Sequence, residues 1–206
     1  NLLSFAQFEA EWRSVPLERM RSSCGICTLR KRGITIWYIF HCPNIKEQDI
    51  LRICEQHSDK QVLQDAFVLT YERMRKYEGA WHLERWNLFP ECVIFECKGE
   101  EELRQILQGL EKELFLNGDR IETRVIAIEK AEEEMLKEMS GAGRNLSMSK
   151  GVIRKGKLQV LEGPLQGREK LIRKVDRHKR IAFLTVEGVG DEMCLQAGLE
   201  ITEKTA

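Results

Sequence analysis

The hydrophobic period of the chain changes near residue 150, and that change limits the folds open to it. From Ile34 to Met139, apolar runs of strand type alternate with helical stripes. A short, small and polar stretch follows, Ser140-Gly141-Ala142-Gly143-Arg144-Asn145-Leu146-Ser147. Beyond it only short apolar or alternating runs remain. Such a chain predicts two modules, one mixed and one all-β, joined by a linker over 140–149. Residues 1–33, with Phe5, Phe8 and Trp12 at the start and Arg30-Lys31-Arg32-Gly33 at the end, read as a poorly ordered extension.

In the first module, Ile34 to Cys42 is rich in β-branched and aromatic residues and reads as a buried strand. Pro43-Asn44 ends it, and Ile45, Ile50, Ile53 and Cys54 give a helical stripe to about His57. Ala66 to Tyr71 reads as a second strand. Glu72 to Trp86, charged and aromatic, suits an exposed β-hairpin or a long loop. Leu88 to Cys97 reads as a third strand. Leu103, Ile106, Leu107, Leu110 and Leu114 mark the clearest helix. Arg120 to Ile128 reads as a fourth strand and Glu129 to Met139 as a short helix with negative charge at its start.

In the second module, 158–161, 170–175, 181–186, 193–196 and 199–202 read as five short strands, which predicts a small β-barrel. Its sharpest motif runs from Gly156 to Gly167, a strand followed by Gly163-Pro164-Leu165-Gln166-Gly167. Glycine opens backbone angles that a side chain forbids and proline fixes its own φ, so the segment forces a tight turn between two strands.

This segment resembles the KOW motif of ribosomal and NusG-type proteins. Trp37-Tyr38 in the first strand, and Leu88-Phe89-Pro90-Glu91-Cys92-Val93-Ile94-Phe95, resemble the NusG N-terminal domain, with Glu91-Cys92 where that family has Gly-Tyr. Lys170 stands where a late KOW glycine is common. Within the family, Tyr71 to His82 and Ile172 to Arg180 are most similar to the LoaP paralogues. The resemblance covers about residues 36–204. It implies an α+β fold: a NusG N-terminal α/β sandwich with an antiparallel four-stranded sheet over 34–139, and an SH3-like KOW barrel over 150–206. It also implies a factor in transcription elongation and antitermination; apart from the resemblance, the chain is expected to be cytoplasmic and monomeric. Such a factor binds the clamp helices of RNA polymerase through the first domain and a structured leader RNA through the second.

The charge pattern agrees with an anionic partner for the tail. Residues 1–150 carry 22 basic and 25 acidic groups, and residues 151–206 carry 11 and 8, so the tail is +3. Arg168, Lys170, Arg173, Lys174, Arg177, Lys179 and Arg180, offset by Glu169 and Asp176, leave +5 in thirteen residues. With His178 they are the candidate RNA-binding set, since guanidinium and ammonium groups bind phosphates and arginine also stacks on bases. The plainer reading is a solvated, charged turn. Trp37, Tyr38, Phe40, Phe89 and Pro90 are the polymerase-facing candidates. About half of the four aromatics are expected in the core, with Phe89 favoured as a contact. Arg73, Arg75, Lys76, Tyr77, Trp81 and His82 would touch polymerase or nucleic acid, or simply be solvated.

Two rival functions stay open: a general NusG-like elongation factor whose barrel binds a protein, and a ribosome-associated KOW protein that binds RNA without polymerase. No Walker loop, Gly-x-Gly-x-x-Gly or Gly-x-Ser-x-Gly occurs, and His41, His57, His82 and His178 are scattered, so no catalytic role or cofactor is expected. Seven irregularly spaced cysteines include one Cys-x-x-Cys, Cys24 and Cys27, with His41-Cys42 further on. Free thiols, not a zinc site, are expected. No apolar run approaches the roughly 20 residues of a membrane span, and no signal peptide is visible.

Overall fold

A computed structural model describes residues 35–57, 62–114, 124–185 and 194–205. The possible helix at Leu17–Met20 and the cysteines Cys24 and Cys27 lie outside them. The chain is mixed α+β, with three α-helices and three sheets among the described residues. Strand β1 (Ile36–His41) is followed by α1 (Glu47–His57) and β2 (Leu63–Phe67). A hairpin, β3 (Thr70–Tyr77) and β4 (Ala80–Asn87), precedes β5 (Cys92–Cys97), α2 (Glu100–Leu114), β6 (Arg124–Ala127) and α3 (Lys130–Ser140). Strands β1, β2, β5 and β6 form one antiparallel sheet in the order β2-β5-β1-β6. With the hairpin set aside, this is the connectivity of a split β-α-β unit.

Alternation along β1 explains why the sheet is covered on both faces. Tyr38 and Phe40 pack with Val93 and Phe95 against Ile50 and Cys54 of α1 and Leu103, Ile106 and Leu110 of α2. Trp37 points the other way. There it meets Phe67 edge-on at 4.9 Å and lies under Lys137 of α3 at 4.8 Å. Its backbone N–H donates to Glu133 of the same helix at 3.2 Å. The helix begins in a capping box in which Glu129 and Glu132 satisfy each other's backbone donors.

Hairpin β3–β4 leaves this sandwich as a two-stranded ribbon, paired from Thr70↔Asn87 to Tyr77↔Ala80. Glu78 and Gly79 at its tip have φ of 51° and 78°. Positive φ at both turn residues is the twist-matched geometry for a two-residue hairpin.

Residues 140–149, expected as a linker, carry specific bonds. Gly141 closes α3 through its N–H to Lys137. Thr70 donates its N–H to Arg144 at 3.0 Å. A two-residue strand, β7 (Asn145–Leu146), runs parallel to β3 with Leu146 fully buried. Glu72 accepts from the Asn145 side chain and the Met148 N–H, both at 3.1 Å. Arg144 pairs with Asp65. The chain from Thr35 onward forms one compact unit.

Among the described residues the tail holds five strands, but not all of those expected, and they do not close. They are β8 (Ser149–Arg154), β9 (Lys157–Glu162), β10 (Ile172–Asp176), β11 (Ile181–Thr185) and β12 (Cys194–Thr205). Their order is β10-β11-β12-β8-β9. The runs expected as separate strands at 193–196 and 199–202 are one strand, and β8 replaces the missing fifth. The first half of β12 pairs with β11 and the second half with β8. The predicted closed barrel is therefore corrected to an open sheet. Closure would need a ladder between β9 and β10. Instead, the Val160 N–H of β9 donates to the Glu169 carboxylate at 2.9 Å, from a 3-10 turn (Glu169–Leu171) just before β10. That bond holds the Glu169 carboxyl below its ordinary pKa.

Two glycines are fixed by close approach. Gly163, φ 94°, begins the Gly-Pro-x-x-Gly turn, and a Cβ there would stand 2.7 Å from the Cα of buried Ser149. Gly198, inside β12, would place a Cβ 2.3 Å from the Glu72 carbonyl oxygen of β3. It marks a backbone crossing, not a break in the strand.

Candidate nucleic-acid interface

The candidate site starts at the bend between β10 and β11. Asp176 ends β10, and its side chain accepts the Lys179 N–H at 3.0 Å. This backbone bond, helped by the Lys179 and His178 charges, lowers the Asp176 carboxyl pKa. The acidic residue is thus spent on shaping the turn. Around it Arg173, Lys174, Arg177, His178 and Lys179 are exposed or half-buried, and Lys170 is exposed. Lys174 lies over the Phe183 ring at 5.9 Å. Turn geometry at 177–180 projects these groups outward without mutual burial, and exposed cations of this kind are phosphate ligands.

Two members of the predicted set are engaged elsewhere. Arg168 pairs with Glu138 of α3 at 2.6 Å and donates to the Pro164 carbonyl. Arg180, φ 54°, pairs with Glu200 of β12 at 3.0 Å and lies over the Trp81 ring at 4.0 Å. Both act as structural ties, because a carboxylate already neutralises each. The partners stand 30 and 20 residues away in the chain, so no local sequence signal could have shown them.

The ribbon supplies the second set. Arg75, Lys76, Tyr77 and Trp81 are exposed, while Arg73 and His82 are half-buried. Tyr77 stacks on His82 with centroids 3.8 Å apart and planes 14° apart. Arg73 lies over Trp86 at 4.6 Å, and burial raises the Tyr71 pKa against the opposing pull of the nearby Arg73. The Tyr71 hydroxyl donates to Gln196 of β12 at 3.1 Å. Of five large hydrophobic side chains exposed among the described residues, Tyr77, Trp81, Leu83 and Trp86 are on this ribbon. Leu83 and Trp86 were not among the residues expected from the sequence. The signal was there: an aromatic hairpin with no apolar stripe of its own left to cover it.

The polymerase-facing set is corrected. Trp37, Tyr38, Phe40 and Phe89 are all at most 3% exposed and belong to the core. Coverage of β1 on both faces buries Trp37, Tyr38 and Phe40; Phe89 is buried in the bend before β5, and Pro90 is the exposed member of the set. Glu91 takes φ 56°, in the left-handed region. Its carbonyl accepts the Cys42 N–H at 2.9 Å.

Among the described residues no group of three or more His, Cys, Asp and Glu side chains is arranged to hold a metal ion. Cys42, Cys54, Cys92 and Cys97 are buried thiols outside any disulfide. Burial pushes the Cys42 thiol up to about 12 and that of Cys97 to about 11, so neither is a nucleophile near neutrality. No helix among the described residues is long and apolar enough to cross a membrane.

No protein-family model and no curated protein matches the chain. Among solved structures it is similar to CutA from Synechococcus elongatus, with 13% identity, a TM-score of 0.24, and coverage of 48% of this chain and 83% of that one. It is also similar to the PII-like protein CutA from a Nostoc species in apo form, with 14% identity, a TM-score of 0.25, and coverage of 51% and 88%. Likenesses at this level carry no functional weight.

Proposed function

We propose that the chain is a NusG-type transcription factor of the LoaP kind, which captures a structured leader RNA through the second module while the first module attaches to RNA polymerase. One observation carries the RNA half of this reading: Arg173, Lys174, Arg177, His178 and Lys179 surround a bend whose only acidic residue, Asp176, is occupied by backbone donors. Asp176 stays ionised and offsets one charge, but the five groups around it leave the exposed turn net cationic, and such a turn favours polyanions. The polymerase half rests on the sequence resemblance. Its docking surface excludes the buried Trp37, Tyr38, Phe40 and Phe89. Tethering both modules to one elongation complex raises the effective concentration of each interaction, so modest affinities suffice.

The test replaces Arg173, Arg177, Lys174 and Lys179 with glutamine in the full chain and measures binding to RNA hairpins across a salt series. Affinity is expected to fall at least about tenfold, and the salt slope by roughly one for each phosphate that is no longer bound. Unchanged affinity and slope would remove the bend from RNA binding. Co-purification of RNA polymerase with the unaltered chain checks the other half.

A further inference from the structure

We infer that the RNA-binding surface continues from the basic bend onto the β3–β4 ribbon, where Trp81 acts as a base-stacking residue for unpaired nucleotides. The inference rests on the reading of the bend as RNA-binding and adds the chemistry the bend lacks. Cations at Arg173, Lys174, Arg177 and Lys179 can hold a phosphate backbone, but the guanidinium groups and the His178 ring offer a base only small polar planes. The ribbon has broad apolar planes, and Arg180 joins the two. Its guanidinium lies 4.0 Å over Trp81 while its carboxylate partner Glu200 fixes it in place. Three residues, at most about 11 Å of backbone, separate Arg177 from Arg180. One RNA segment can therefore touch the cations and the ring together.

A purely structural role for Trp81 accounts for less of what is seen. A brace for Arg180 needs one face of the ring. Trp81 is nevertheless 37% exposed, and Lys76 lies opposite it in the ladder. Arg75 and Lys76 are exposed along the same ribbon, whereas Arg85 pairs with Glu72 at 3.7 Å. Its other aromatic groups are already held against planar partners, Tyr77 on His82 and Trp86 under Arg73. Cations interleaved with ordered aromatic planes are how sequence-tolerant sites take single-stranded nucleic acid. An acidic protein segment would use the cations but not require the planes. Bases inside a duplex are already stacked, so such a plane engages only loops, bulges and ends.

The experiment uses the full chain and two labelled RNAs of identical stem, one closed by an unpaired adenosine loop and one a blunt duplex, with anisotropy read at fixed salt. Trp81→Ala is expected to weaken the looped RNA about tenfold and leave the duplex unchanged. Trp81→Phe keeps most of the looped-RNA affinity, because the plane remains. The double variant Arg177→Gln, Lys179→Gln weakens both RNAs. Equal loss on both RNAs in Trp81→Ala would show a brace and overturn the inference, as would no loss on either. If the cation variant lowers affinity and Trp81→Ala does not, stacking fails and the basic bend stands. If neither does, the RNA reading itself falls.

Discussion

Trp37, Tyr38, Phe40 and Phe89 and the ribbon aromatics Tyr77, Trp81 and Trp86 are the same kinds of residue in or beside strands, yet they end in opposite places. The first four are sealed in the core and the last three are 42%, 37% and 42% exposed. Composition and local alternation do not separate them. What separates them is the number of layers over each strand. β1 has α1 and α2 on one face and α3 on the other, so both sides of the strand are removed from water. The ribbon leaves the sandwich: β7 and β12 meet its base, and near its tip one face of Trp81 is covered by Arg180. An aromatic residue in a strand is thus a core residue or a surface residue according to topology, and apolar content alone cannot say which.

The largest expected effect tests that contrast directly. Phe40→Ala removes a ring stacked on Phe95 at 5.4 Å and should cost about 3–5 kcal/mol. Trp86→Ala removes a surface interaction with Arg73 worth about 0.5–1 kcal/mol. Denaturant unfolding of the two variants measures both, and comparable losses would break the distinction. Next in size is the crossing of β12 over β3. Gly198→Val forces atoms into the Glu72 carbonyl and the Met148 side chain, and a cost of about 1–3 kcal/mol is expected. A variant as stable as the parent would show that the ribbon base is not held there. The smallest effect concerns the bend. The Asp176 pKa is depressed below its ordinary 3.8, so its stabilisation is fully present above that value and is lost as pH falls through the lower one. Thermal melts between about pH 5 and 3 should show an acid-side decline that Asp176→Asn lacks in part. Identical profiles would mean that the turn does not depend on the carboxylate.

Much of the first module was legible because its signals are local. The stripe of Leu103, Ile106 and Leu110 faces the core as its spacing requires, and Ile36–His41 is the buried strand its composition suggests. The second module was harder. Ser149–Arg154 begins with small and charged residues and does not stand out as a strand, yet it forms β8 because β12 and β9 supply ladders on either side. Gly198 reads as a gap between two strands, and it is a glycine because another backbone passes close by. The bend itself was visible as charge. That Arg168 and Arg180 are already paired was not, since Glu138 and Glu200 reach them only through the fold.

Strand β12 meets three separate parts of the molecule: β11, β8 and the base of the ribbon. Its Gln196 bond to Tyr71 joins positions 125 residues apart. A chain emerging from the ribosome can build the sandwich and extrude the ribbon long before this strand appears, but the ribbon then projects with little to anchor it. Formation of the tail sheet is accordingly a late, long-range closure, slow by the rule that distant pairings delay folding. Until residues 194–205 arrive, Arg180 lacks its Glu200 partner, so the tie that seats its guanidinium over Trp81 is completed only with this stretch.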